Sequence, residues 1–279
     1  MTTILVTGAT GRVGRHVVQG LLEAGVEVRA LVRTPGIAGL PGAVEVIEGD
    51  IYDPAAVERA ANGVDAAFLL WPAYTAEGAE SVVTALTKQV SRVVYLSSMN
   101  SGGVWGEIEA LLADTDWTFV RPGGFAGNTQ EWAEQIRAGD VVRMPSPGAG
   151  RSLIHERDIA GVAVLALLDD KHVGKSYVLT GPEVLTQAEQ VATLAEVLGR
   201  TLQVEEIPTA EAREAMLADG FDPSFVDPGL AYWNSLITNP EPVTHTVETL
   251  LDRPALTYRQ WAEEHADEFR VLRAPRSGA

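Results

Sequence analysis

Residues 4–14 read Ile4-Leu5-Val6-Thr7-Gly8-Ala9-Thr10-Gly11-Arg12-Val13-Gly14. A short apolar run ends at Thr7, and glycines follow at 8, 11 and 14. An amphipathic stretch then begins, with Val13, Val17 and Leu21 on one face. This pattern predicts a strand, a tight turn and a helix. A pyrophosphate approaches bare backbone N–H groups at such a helix start, where the helix dipole favours anions. Side chains at the turn would block that approach, so the glycines are read as a dinucleotide cradle formed by Gly8, Thr10, Gly11, Arg12, Val13 and Gly14. The competing reading is a glycine-rich turn that holds no ligand.

The pattern continues outward. Strands are predicted at Thr3–Thr7, Val26–Val32, Val44–Ile47, Ala66–Leu70, Arg92–Leu96 and Trp117–Val120. Helices are predicted at Arg12–Ala24, after Asp53-Pro54, over about Ala76–Gln89 and at Gly106–Ala113. Strands alternating with helices form parallel βαβ units, because a parallel pair needs a long crossover. The expectation is a doubly wound α/β sheet over residues 1–150, completed by 151–181, and a smaller, mostly helical C-terminal substrate region over 182–279.

In the second half, helices are predicted at Asp158–Leu168 and Gln187–Leu198, and strands at Ser176–Leu179 and Leu202–Ile207. Thr186 and Glu189 have capping-box spacing. Thr209–Phe269 reads as helical with proline breaks at 223, 228, 240, 242 and 254. Residues 219–243 suit a flexible lid, and Arg273–Ala279 a frayed tail.

Composition narrows the function. The 279 residues carry 38 acidic and 21 basic side chains, a formal charge of −17. That balance argues against a nucleic-acid binder or an anionic-membrane binder. There is no cysteine, which removes disulfides, thiolate metal sites and cysteine nucleophiles. The histidines show no metal-ligand spacing, so no metal is expected. No signal-peptide pattern and no apolar run of bilayer length occurs, so a cytoplasmic protein, monomeric or homodimeric, is expected. Only three lysines occur in an Ala-, Gly-, Val- and Arg-rich chain, a composition that fits a high-GC bacterial source. Gly174-Lys175-Ser176 resembles the end of a phosphate loop, but it precedes a strand and Asp169 replaces the first glycine.

A site specific for a free ribose places an acid about 20 residues past the glycines. Here that position is Arg33, with no acid beside it. A guanidinium suits a 2′-phosphate, and Arg12 could reach the same group, so NADP(H) is expected to be preferred, with NAD(H) possible. The alternative is that both arginines are solvated surface charges. Asp50 and Ile51 follow the third strand, where the adenine edge would rest. Trp71 and Pro72 end the fourth, on the sheet edge where ligands bind.

With these residues in view, Thr7-Gly8-Ala9-Thr10-Gly11, Gly49-Asp50, Leu96-Ser97-Ser98 and Arg121-Pro122-Gly123-Gly124-Phe125 with Asn128 resemble the NmrA-like branch of the atypical short-chain dehydrogenases/reductases. Asp158-Ile159-Ala160, Leu198-Gly199-Arg200 and the segment 257–269 fit the same branch. The resemblance implies a Rossmann cofactor domain, a small C-terminal domain and a substrate cleft between them. It also implies nicotinamide contacts from the backbone around Ser97, Ser98, Pro122, Gly123 and Phe125. The branch contains reductases and redox-sensing binders.

One departure is plain. Typical short-chain reductases carry Tyr-x-x-x-Lys after the fifth strand, where the tyrosine protonates the carbonyl oxygen. Between Ser98 and Trp117 this chain has neither Tyr nor Lys. The acid is then water, Ser98, Asn100 or a lid residue, or the chain is a silent cofactor sensor with a protein partner. The leading reading is an oxidoreductase of a small aromatic or quinone-like molecule, a candidate for secondary-metabolite tailoring. Trp71, Met99, Asn100, Trp105, Phe125, Asn128, Tyr232 and Trp233 are candidate substrate contacts, with Trp132, Phe221 and Phe225 as further aromatics. For each the alternative is ordinary packing, and Asn128 could equally cap a helix.

Overall fold

A computed structural model describes residues 2–270; the expected fraying of Arg273–Ala279 lies outside them. The chain begins β1 Thr3–Thr7, α1 Gly14–Glu23, β2 Glu27–Val32, β3 Glu45–Glu48, α2 Pro54–Ala61, β4 Ala66–Leu69, α3 Ala79–Thr87, β5 Arg92–Leu96, α4 Val104–Leu111 and β6 Asp116–Pro122. It continues α5 Ala133–Ala138, β7 Val141–Met144, β8 Gly150–Arg151, α6 Glu156–Leu168, β9 Lys175–Leu179, β10 Leu185–Thr186, α7 Gln187–Leu198 and β11 Gln203–Glu206. The helices α8 Thr209–Ala218, α9 Pro223–Ser235, α10 Thr246–Leu251 and α11 Tyr258–Glu264 complete it.

Seven strands form one parallel sheet in the order β3-β2-β1-β4-β5-β6-β9. The order reverses between β1 and β4, the point where an open α/β sheet leaves a crevice at its carboxyl edge. The central strands carry apolar runs, as strands covered on both faces do: β4 is apolar throughout and all four of its residues are buried. One core lies under α2, α3 and α4, joining Leu5, Ala67, Leu69, Val93 and Phe119 to Val57, Val82, Leu86 and Ile108. Asp53 caps α2 by accepting from the Ala55 N–H at 3.0 Å, with Pro54 in the first helical position.

The chain divides into two units. The first comprises residues 1–123, 156–180 and 244–254; the second comprises 124–155, 181–243 and 255–279. Sequence reading assigned 124–150 to the first unit. It belongs with the second because β7 pairs in parallel with β11, and β8 with β10. Strands two to four residues long among helices leave little periodic signal, so these two small sheets add β structure to a region read as mostly helical.

Several boundaries also move. The first helix starts at Gly14, leaving Arg12 and Val13 in the turn; α3 is shorter than Ala76–Gln89; α4 starts at Val104, ahead of Gly106. The capping box of Thr186 and Glu189 forms, and Gly199 ends α7 in the left-handed conformation. Within 219–243 the chain makes the helix α9, with Pro223 in its first turn and Pro228 inside it. Val226 and Leu230 of α9 pack with Ala212 of α8 in a small core of their own. Proline at the first turn costs no hydrogen bond, so that break reads as a helix start.

Candidate functional site: the carboxyl edge of the parallel sheet

β1 ends at Thr7, whose hydroxyl accepts from the Leu70 N–H at 2.8 Å and donates to the Phe68 carbonyl at 3.2 Å. This ties the ends of β1 and β4 together. Gly8 then turns with φ +62, and its carbonyl accepts from the Gly11 N–H at 2.9 Å. A Cβ at Gly14 would overlap the Gly8 carbonyl, and one at Gly11 would lie 3.1 Å from it. The turn is therefore closed on itself: only hydrogen fits at Gly14, and a Cβ at Gly11 would push the Gly8 carbonyl by a few tenths of an ångström.

The helix that follows keeps its positive end clear. Val13 makes no side-chain cap, and no acid occupies the first turn of α1. Among the described residues nothing accepts from the N–H groups of Val13 and Gly14. Arg15, one turn after Gly11, folds back to donate to the carbonyls of Thr10 at 2.9 Å and Gly11 at 3.3 Å. It occupies the acceptors of the turn and adds positive charge beside the free donors. Sequence reading passed over Arg15, although its spacing from Gly11 is that of facing helix positions. Free N–H groups, a bare turn and a vacant helix dipole fit the pyrophosphate of a dinucleotide.

Arg33 lies just past β2 and is exposed, with no partner among the described residues. Asp50 accepts from the Tyr52 N–H at 3.1 Å, which shapes the turn after β3. Ile51 is half-buried there. Trp71 is largely buried: its indole donates to the Thr75 carbonyl at 2.8 Å and meets the edge of Tyr52 at 5.3 Å. Pro72 beside it is exposed.

At the ends of β5 and β6 the structure builds a network that sequence reading missed. The Ser97 hydroxyl donates to Glu109 Oε1 at 2.6 Å. Arg121 donates through Nε to Oε1 at 2.8 Å and through Nη2 to Oε2 at 2.5 Å. Ser97 and Glu109 are both buried, while Arg121 is part-exposed. Hydrogen bonding to Glu109 raises the Arg121 pKa and keeps the guanidinium charged. Burial, and then the charge of Glu109, push the Tyr95 hydroxyl well above the usual phenol range. Tyr95 therefore serves as core and not as an acid. The clue available in the sequence was Arg121 itself, since a charge closing the apolar strand Trp117–Val120 requires a partner. Glu107 is exposed and Glu109 buried, so the two are not a carboxylate pair, as their spacing indicates.

The neighbouring residues complete this edge. The N–H groups of Ser97, Met99 and Gly123 bond the carbonyls of Val120, Pro122 and Leu179 at 2.8, 2.9 and 2.9 Å. Ser98 Oγ accepts from the Asn100 N–H at 3.3 Å. Ser98 and Met99 are half-buried, Asn100 is exposed, and Trp105 packs partly against the core beneath α4.

The remaining candidates lie in the second unit. Phe125 is half-buried and pairs with Ile154 in a parallel bridge; Asn128 is exposed, with its N–H on the Phe125 carbonyl at 3.1 Å. Gly124 leaves room for a side chain of its own unit: a Cβ there would meet the Arg151 guanidinium, which would have to shift. Arg151 bonds the buried Glu241 at 3.3 Å, and the same carboxylate accepts from the Ser152 N–H and the Tyr232 hydroxyl, both at 3.0 Å. Trp233 packs against the small core of α8 and α9, and Trp132 lies in the unit's main core.

Comparison with known proteins places this geometry. Residues 8–170 match the NAD(P)H-binding family. The chain is 40% identical over 280 residues to the (4-alkanoyl-5-oxo-2,5-dihydrofuran-3-yl)methyl phosphate reductase of Streptomyces griseus, covering 95% of this chain and 99% of that protein. It is 33% identical over 286 residues to the NAD(P)H azoreductase of Xenophilus azovorans, with the same coverage of 95% and 99%. In fold it is similar to the NADPH-dependent quinone oxidoreductase of Escherichia coli solved with NADPH, with a TM-score of 0.79 and 22% identity over 94% of this chain and 99% of that one. The chain is an NAD(P)H-binding oxidoreductase of the NmrA-like branch of the atypical short-chain dehydrogenases/reductases.

Proposed function

We propose that this protein is an NADPH-dependent reductase of electron-poor conjugated acceptors: quinones, azo compounds, or ring carbon–carbon double bonds conjugated to carbonyls. Such acceptors occur in aromatic and polyketide secondary metabolism, where the enzyme would act as a tailoring reductase.

The observation that carries this reading is the absence of Tyr and Lys from the segment after β5, where typical short-chain reductases carry their acid. Neither Tyr nor Lys occurs between Ser98 and Trp117, and Tyr95 is buried in its strand. A reduced nicotinamide, when bound, supplies a hydride. If the acceptor is a plain ketone, the product is a localised alkoxide that needs a proton in the transition state. With a conjugated acceptor the charge spreads over oxygen or nitrogen atoms distant from the site of attack, and weak donors suffice. Ser98 suits that duty. Its oxygen accepts from the Asn100 N–H, which leaves its own proton to donate to a developing anion. Within the first unit, the candidate contacts to a flat ring are Trp71 and Trp105.

The relatives support the substrate class. The 40% identical protein is named for a furanone whose ring double bond is conjugated to two carbonyls, and the 33% identical one for azo reduction. Arg33 supports the preference for NADPH, because an exposed guanidinium just past β2, with no partner among the described residues, would reward a 2′-phosphate on the cofactor.

The test is oxidation of NADPH and NADH across quinones, azo dyes, acyl-furanones and plain ketones, with binding of both cofactors measured alongside. The expected outcome is NADPH-preferring turnover of conjugated acceptors and none of plain ketones. Equal turnover of plain ketones would overturn the assigned chemistry. Tight binding without any turnover would assign a cofactor sensor instead.

A further inference from the structure

We propose that Glu109 and Arg121 lock Ser97 as a hydrogen-bond acceptor for the nicotinamide half of the cofactor, which makes Ser97 a binding group and Glu109 a positioning residue. The proposal rests on the reading that the cofactor lies along this carboxyl edge.

An ionised carboxylate can only accept. Glu109 accepts two bonds from the Arg121 fork and one from Ser97, at 2.8, 2.5 and 2.6 Å. A serine hydroxyl has one proton and two lone pairs. With its proton committed to Glu109, Ser97 has only acceptor capacity left. Its backbone N–H is also occupied, by the Val120 carbonyl at 2.8 Å. Ser97 therefore cannot protonate a substrate and can receive a donor. The nicotinamide half offers two kinds: ribose hydroxyls and the carboxamide N–H.

Placement supports a specific role for the pair. A buried ion pair is weak evidence for stability, since apolar replacements of similar volume often hold a fold as well. This one stands at the ends of the central strands β5 and β6 and ends on a hydroxyl. Arg121 remains part-exposed, so it screens Glu109 without being sealed in the core. The fork also orients the carboxylate, and a fixed carboxylate fixes the serine rotamer.

The experiment measures affinity for two probes, NADPH and adenosine 2′,5′-bisphosphate, in the wild type, Ser97→Ala and Glu109→Gln. The second probe carries the adenosine end and no nicotinamide. Both variants are expected to bind NADPH roughly five- to tenfold more weakly, the value of one hydrogen bond, while affinity for the bisphosphate is unchanged. The fluorescence of bound NADPH should shift in both variants, reporting a displaced ring. Wild type that binds neither probe would remove the cofactor reading, and the proposal with it. Wild type that binds both while Ser97→Ala keeps full NADPH affinity would overturn the proposal alone. Equal loss of both probes in Ser97→Ala would likewise overturn it, as a purely structural effect. Ser97→Ala leaves the Glu109–Arg121 pair intact, so the test stands even where Glu109→Gln folds poorly. An analogue with an acetyl group in place of the carboxamide separates the two donors. If the carboxamide is the donor, Ser97→Ala binds the analogue as well as the wild type does; a fivefold loss assigns the ribose hydroxyl.

Discussion

The carboxyl edge of the first unit and the interior of the second dispose of their polar groups in opposite ways. In the first, donors at the carboxyl edge are left open: the N–H groups of Val13 and Gly14, and the guanidinium of Arg33. In the second, buried polar groups close on one another. Glu241 takes Arg151, the Ser152 N–H and Tyr232; Tyr258 donates to Thr129 at 3.0 Å; Gln187 donates to the carbonyls of Pro145 and Ser146, both at 2.9 Å. An unmade hydrogen bond is costly unless water or a ligand makes it. The open set is therefore the part built to receive something, and the closed set is the part that holds its own loops. The Glu109 network lies between these cases: its carboxylate oxygens are bonded, and among the described residues nothing donates to the Ser97 hydroxyl.

Five substitutions test that contrast. Gly14→Val in the open set should have the largest effect. Its side chain would overlap the Gly8 carbonyl, so cofactor binding should disappear in a titration. Retained affinity would show that the turn is not the cradle. Next, Glu241→Ala should lower stability by about 3–5 kcal/mol, because it leaves a guanidinium paired to nothing in a buried site. Glu109→Ala should cost less, since its arginine is more exposed, at 25% against 14%. Denaturant midpoints decide the order, and the reverse order would break the comparison. Arg33→Asp should move the NADPH-to-NADH preference by about 1.5–3 kcal/mol with no change in stability. An unchanged ratio of the two affinities would mean that Arg33 does not read the phosphate. The smallest effect is expected for Thr186→Ala, which removes a helix cap in the second unit and should cost ~1 kcal/mol of stability while sparing the cofactor.

The first unit was legible to different depths. The spacing of Gly8, Gly11 and Gly14 after an apolar run gave the turn and the cofactor class, because glycine at a turn is a local geometric demand. Strands such as Arg92–Leu96 could be read to the residue, because Val93–Leu96 form a continuous run buried on both faces. The C-terminal half was read less well. Gly150–Arg151 and Leu185–Thr186 are two-residue strands whose pairing depends on a partner distant in the chain. Proline 223 looked like a break and is a helix start, since only the surrounding fold decides on which side of a proline the helix runs.

By itself the sequence determined the parallel βαβ order, the glycine turn, the missing tyrosine and lysine, and the arginine where an acid would select the free ribose. Each of these is a local pattern or a residue identity, and local sterics or chemistry suffice to interpret it. Only the tertiary structure decided that Glu109, Arg121 and Ser97 meet, that Gly124 makes room for Arg151, and that residues 124–155 belong with 181–243. These are partnerships between segments far apart in the chain. A buried charge announces that it needs a partner but not which one, and only the packed fold supplies the answer.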